Sequence, residues 1–214
     1  MYGRAAGAMI HRMQSGSEEG DALAVLVIAG SGRGAGKTAV GCALVAALPG
    51  FRWMAMKISP HGHGTGAETD TEILEEFERD SEKDSSRYLK AGADRSFFIE
   101  RVPHDALVRW IAEERKRESE DNALVVESNS LDAKVLSREG EATVTLAVIA
   151  GPVADWKPTL QGSVASADAL VLAAGVTPDH LPAVLQGKPL FPLGAGAWIT
   201  PALVAFVSGR LTAS

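Results

Sequence analysis

The stretch Gly30-Ser31-Gly32-Arg33-Gly34-Ala35-Gly36-Lys37-Thr38 gathers four glycines and one lysine into nine positions and closes on a threonine. Wrapping successive backbone N–H groups around an anion requires dihedrals that Cβ atoms obstruct, so glycine is the residue type expected in such a cradle. A helix opening near Lys37 would add the positive end of its dipole. Lys37 would reach the β- and γ-phosphates of a bound nucleotide as a point charge, and the Thr38 hydroxyl would ligate Mg²⁺. Against the phosphate-loop pattern G-x-x-x-x-G-K-[ST], the first position falls on Ser31, while Gly30 and Gly32 on either side keep the backbone permissive. The residues expected to line a nucleotide's phosphates are Gly32, Arg33, Gly34, Ala35, Gly36, Lys37, Thr38 and Ala39, with Lys57 from the next strand. The competing account is a glycine-rich strand-to-helix turn with an incidental lysine.

Other groups are spaced to converge on the same point. Glu127 follows the apolar run "ALVV" and is expected at the carboxyl end of a central strand, as a magnesium or water-positioning group. Ser128 and Asn129 add polar atoms at that edge. The segment "PHGHGTGAETD" (60–70) supplies His61, His63, Glu68 and Asp70 just past the second strand. Lys37, Glu127 and Asp70 form the expected catalytic set, and Thr38, Asp70 and Glu127 the expected magnesium set. Two histidines without a third ligand are a thin metal signal; they serve equally as hydrogen-bonding loop residues. No asparagine- or threonine-lysine-x-aspartate signature follows "ALVLAAG", where "VTPDH" stands instead, so GTP and ATP stay equally open. No catalytic glutamine or arginine finger in cis can be assigned, which implies slow hydrolysis. Arg33 is placed to serve a dimer partner.

The elements needed to hold these groups are legible as apolar runs: 22–30, 51–59, 95–102, 122–128, 142–151 and 167–175. Most are continuous rather than alternating, as in strands buried on both faces. Helices are expected over Thr38–Leu48, Ala106–Arg117 and Pro201–Leu211, the last after a short strand at "PLFPL". "TDTEILEEFERD" reads as a further short helix, with Thr69 and Glu72 in capping-box spacing. The alternation implies a three-layer α/β fold of the P-loop NTPase kind, with a mostly parallel sheet covered by helices on both sides. Ligands in such sheets bind beyond the carboxyl ends of the strands.

Bulk properties narrow the class. The chain has 214 residues, 46% of them hydrophobic, enough for one domain over 21–214 behind a disordered tail over 1–20. A formal charge of −6 provides no general basic surface for nucleic acid. Cys42 is the sole cysteine, which excludes an internal disulfide, fits a cytoplasmic setting and reads as a small packed residue. No run is long enough to span a bilayer. In "DWKP", Trp156 reads either as a cover for the edge of the core, the commoner use, or as a stacking platform for a base or pterin. The charged run 113–121 reads as a solvated helix end.

"KDSSRYLKAGA" (83–93) is more specific than the glycine loop alone. It resembles the KDS-x-R-x-x-x-AGA segment of the MobB family, accessory proteins of molybdopterin-guanine dinucleotide biosynthesis. There the segment follows a phosphate loop, a strand ending in lysine and a histidine-containing loop, matched here by Gly36-Lys37-Thr38, Lys57, and His61 with His63. Glu127 matches the family's glutamate after its fourth strand, and "PLFPL…TPALVAFVSGRL" is similar to its last strand and helix. Ile58 after Lys57, "SNS" after Glu127, and residues 132–180 depart from the family pattern. The resemblance implies a divergent member that binds GTP or ATP with Mg²⁺, hydrolyses it slowly and forms a homodimer. It further implies a role beside a cofactor-synthesis enzyme that attaches nucleotide to molybdopterin. Alternatives on the same scaffold are a small-molecule kinase or ligase, and a nucleotide-switched adaptor or metallochaperone. Read from its residues alone, the segment is a helix capped by Asp84 or Ser85, packed through Tyr88 and Leu89 and ended by Gly92, with Arg87 and Lys90 either on an anion or in solvent.

Overall fold

The computed structural model describes residues 24–59, 71–117, 122–137, 139–151, 156, 162 and 164–213. Residues 1–20, His61, His63, Glu68, Asp70 and the "DWKP" residues other than Trp156 lie outside the described residues.

Eight strands form one sheet in the order β3-β4-β2-β5-β1-β6-β7-β8. They are β1 (Ala24–Gly30), β2 (Arg52–Ser59), β3 (Glu72–Glu76), β4 (Arg95–Glu100), β5 (Asn122–Glu127), β6 (Ala142–Ile149), β7 (Ala169–Leu172) and β8 (Leu190–Pro192). Every pairing is parallel except that of β3 with β4. The helices that concern the site are α1 (Lys37–Ala47), α2 (Asp84–Ala91), α3 (His104–Arg117), the single turn α4 (Ala133–Leu136) and α5 (Pro201–Leu211).

The period-two alternation of a strand divides β1 between two cores. Ala24, Leu26 and Ile28 pack with Val40 and Leu44 of α1, Tyr88 of α2, and Leu203 and Val207 of α5. Val25 and Val27 face the other way, against Leu107 and Ile111 of α3 and Leu136 of α4. Both faces of β1 are therefore dry, which accounts for the unbroken apolar run. The three-layer, mostly parallel α/β architecture expected from the sequence is the one observed. Local signals explain the helix ends: Thr200 caps α5 by accepting the Leu203 N–H, and Gly92 closes α2 in a left-handed conformation at φ 112°.

Two expectations are corrected. The helix expected in "TDTEILEEFERD" is strand β3 over Glu72–Glu76, antiparallel to β4, with Ile73 opposite Ile99. Thr69 lies outside the described residues. Sheet pairing, the packing of Ile73 on the α3 side, and a two-point ion pair from Arg95 to Glu75 (2.6 and 2.8 Å) override the local helical pattern. The charged end of α3 is also not wholly solvated. Glu114 and Arg115 are buried, Arg115 pairing with buried Glu141 at 2.9 Å and Glu114 with Arg117 at 2.8 Å. A cationic residue in the last turn of a helix can fold inward when a buried carboxylate meets it.

Candidate functional site

β1 delivers the chain to the glycine loop, and α1 starts at Lys37, as the motif requires. The loop's first residues are fastened to the neighbouring strand ends. The Gly30 N–H donates to Asn129 Oδ1 (2.9 Å) beyond β5, and the Ser31 N–H to the Val148 carbonyl of β6 (2.8 Å). The Ser31 hydroxyl donates to the Ala150 carbonyl and accepts the Ala150 N–H, both at 2.8 Å. The serine at the first motif position is thus a clamp between β1 and β6, and glycine's freedom is needed elsewhere. Gly34 and Gly36 hold left-handed dihedrals (φ 77° and 92°), and the backbone of Gly30 runs against the Lys37 stem. Arg33 is exposed, Ala35 buried.

Lys37 arches over the loop and donates from Nζ to the Gly32 carbonyl at 2.9 Å. α1 carries no acidic residue in its first turn and takes no side-chain cap from Gly36, so its N-terminal dipole faces the loop without a competing carboxylate of its own.

Beyond the loop, four side chains form a chain of alternating donors and carboxylates. The buried Thr38 hydroxyl donates to Glu127 Oε2 at 2.7 Å. Glu127 Oε1 accepts from the Lys57 ammonium, which also pairs with Asp84 at 3.2 Å. Sheet register makes this meeting unavoidable: Lys57 of β2 and Ile28 of β1 both stand beside Glu127 of β5. Asp84 arrives from the first turn of α2 and pairs with Arg87 at 3.3 Å. Burial alone would raise the Asp84 carboxyl, but the Lys57 charge, hydrogen bonding from Lys57 and Thr38, and Arg87 together hold it below the usual aspartate range.

The site therefore unites Lys37, Thr38, Lys57 and Glu127 of the expected set and adds Asp84, which the sequence suggested only as a helix cap. The residue before α2 is Lys83, with no side-chain cap bond, and Asp84 is turned toward Lys57 instead. Asp70 lies outside the described residues. Among the described residues, Arg87 and Lys90 make surface pairs, with Asp84 and with Asp80 at 3.6 Å.

The donor chemistry suits Mg²⁺: a hydroxyl and two carboxylates are hard oxygen ligands, and the Lys57 ammonium already places positive charge between the carboxylates. Among the described residues no group of three or more His, Cys, Asp or Glu forms a self-sufficient metal cage. A magnesium ion shared with phosphate needs only one or two carboxylates.

Three further residues complete the picture. Cys42 packs beside the core, and its thiol is pushed up to about 12, chiefly by burial and further by Glu127 and Asp84, against the opposing pull of Arg87. It is an unreactive packed residue. Trp156 is buried among Ala147, Leu170 and Leu185, so it covers the core edge. Trp198, between β8 and α5, is half exposed and lies against the loop: its ring carbon Cζ3 is 3.0 Å from where a Cβ on Gly36 would stand.

No family model matches the chain, and no curated protein matches it in sequence. Among solved structures it is similar to HypB from Helicobacter pylori, determined in complex with nickel, at TM-score 0.50 and 16% identity, covering 88% of this chain and 86% of that one. It is also similar to MobB from Bacillus subtilis, at TM-score 0.43 and 20% identity, covering 88% of this chain and 98% of that one. The likeness to HypB is one of fold, a mostly parallel α/β sheet, and in this chain that fold sets a glycine loop between β1 and α1.

Proposed function

We propose that this chain binds a nucleoside triphosphate, GTP or ATP, with Mg²⁺, hydrolyses it slowly, and acts through that binding in molybdenum-cofactor maturation. The observation that carries the nucleotide reading is the Thr38–Glu127–Lys57 chain at the mouth of the glycine loop. Gly32 to Gly36 offer backbone N–H groups to the phosphates, and Lys37 exchanges the Gly32 carbonyl for phosphate oxygen. Thr38, Glu127 and Asp84, with Asp70 of the sequence-expected set, would hold the ion, directly or through water. Bound there, Mg²⁺ would neutralise charge on the β- and γ-phosphates. Lys57 fixes the orientation of Glu127 through their ion pair, so that it can orient water.

The molybdopterin role and a homodimer working beside a cofactor-synthesis enzyme rest on the KDSSRYLKAGA resemblance. A second reading is a metal-handling, nucleotide-switched protein, raised by the shared fold of HypB, which was solved with nickel; His61 and His63 would be its ligands.

Titration calorimetry with ATP, GTP and their diphosphates in Mg²⁺ tests the nucleotide reading. Lys37→Ala is expected to abolish binding while circular dichroism stays unchanged, and undiminished binding by that variant would remove the proposal. Stimulation of turnover by molybdopterin supports the first role. Nickel uptake in equilibrium dialysis, lost on replacing His61 and His63, favours the second.

A further inference from the structure

Of the chain's four tryptophans, Trp53 and Trp156 are buried and Trp110 packs edge-on against Phe97 at 5.0 Å. Trp198 alone of these is left 50% exposed, although its chain neighbour Ile199 packs on the α5 core. It sits after a glycine-rich turn, Gly194 to Ala197, closed by an Ala197 N–H to Gly194 carbonyl bond of 3.1 Å with Gly196 at φ 75°. The benzo edge of its indole rests on Gly36: Cζ3, Cε3 and Cη2 lie 3.0, 3.6 and 4.0 Å from a Cβ built there.

Sheet order gives that position a direction. The carboxylate and ammonium groups that suit the metal-bearing end of a polyphosphate lie on the β5–β2 side of β1. β6, β7 and β8 lie on the opposite side, and Trp198 stands in the segment leaving β8. A nucleotide with its terminal phosphates toward Glu127 must extend its nucleoside the other way, across the first turn of α1 toward Trp198. An exposed indole offers a stacking surface there that any base can use, because every base has a π-face.

We propose that Trp198 is the nucleobase platform of the site, a role for which Trp156, the sequence's candidate, is too buried. The proposal rests on the nucleotide reading above, and its test separates the two by using inorganic tripolyphosphate as a probe without a base. In calorimetry with Mg²⁺, Trp198→Ala is expected to weaken GTP or ATP binding by about ten- to a hundredfold. Tripolyphosphate affinity should be unchanged, and Trp198→Phe should recover most of the nucleotide affinity. Nucleotide should quench wild-type tryptophan emission, and that quenching should vanish in Trp198→Phe. Equal losses for nucleotide and tripolyphosphate would reduce Trp198 to a prop for the loop and overturn the proposal, as would no loss at all. Wild-type protein that binds tripolyphosphate but no nucleotide overturns it too, while binding of neither probe removes the parent reading and this one with it.

Discussion

The stem of Lys37 lies directly on the backbone of Gly30. A Cβ built on Gly30 would stand 2.6 Å from Lys37 Cγ and 2.9 Å from its Cδ, with the Val148 carbonyl oxygen 3.1 Å away. The colliding atoms belong to the middle of the side chain, so relief requires a new rotamer that takes Nζ off the loop. Gly30→Ala should therefore lower nucleotide affinity roughly tenfold or more, equivalent to about 1.4 kcal/mol, with only a small fall in melting temperature. A dissociation constant equal to wild type would show that this contact does not set the lysine's position.

Gly41 of α1 and Tyr88 of α2 interlock in the same way, and here the expected effect is on stability. A Cβ on Gly41 would be 2.2 Å from the Tyr88 hydroxyl oxygen and 3.0 Å from Ile28 Cδ1. That hydroxyl is fully buried and has no hydrogen-bond partner among the described residues. Tyr88→Phe should be neutral or stabilising by about 1 kcal/mol, since it removes an unsatisfied polar atom. Gly41→Ala should destabilise the wild type, and less so the Tyr88→Phe background, giving a coupling of roughly 0.5–3 kcal/mol in urea unfolding. Strict additivity of the two changes would contradict the packing described.

The Asp84 carboxyl sets a pH dependence. Its folded-state pKa lies below the ordinary value, because Lys57, Thr38 and Arg87 outweigh its burial. The unfolded chain therefore binds the proton more tightly. The stability that Asp84 contributes is complete above the ordinary aspartate pKa of about 3.9 and is lost as pH falls through the depressed folded value. Asp84→Asn should melt below wild type at neutral pH, and the gap should narrow in strongly acidic buffer. A gap that is constant across that range would assign the difference to packing rather than charge.

How much of this was legible in the sequence depends on whether each cause is local. β1, β5 and β6 announced themselves because strands dry on both faces must be apolar throughout, and the glycine loop announced α1. The helix expected over Pro201–Leu211 is α5, and the structure adds the Thr200 cap that starts it. β3 was misread because Glu72 to Glu76 has helical local preferences, and its strand identity comes from β4, Arg95 and the α3 side of the core. Asp84 looked like a cap because its true partner, Lys57, is distant in the chain and near only through the sheet. Ser31 looked like a defect in the motif until Ala150 was found opposite its hydroxyl. Nothing in "GAGAWIT" marks Trp198 for the loop; its neighbour Gly36 is supplied by topology.

The two outermost strands carry a final consequence. β3 presents three glutamates in five residues, and β8 is three residues long and ends in proline. Charge and proline at sheet borders discourage a further chain from adding on. Self-assembly by strand-to-strand extension is thus guarded against at both flanks. A twofold partner would have to be recruited through helical surfaces or the loops around the phosphate cradle, where its docking could sense whether the cradle is filled.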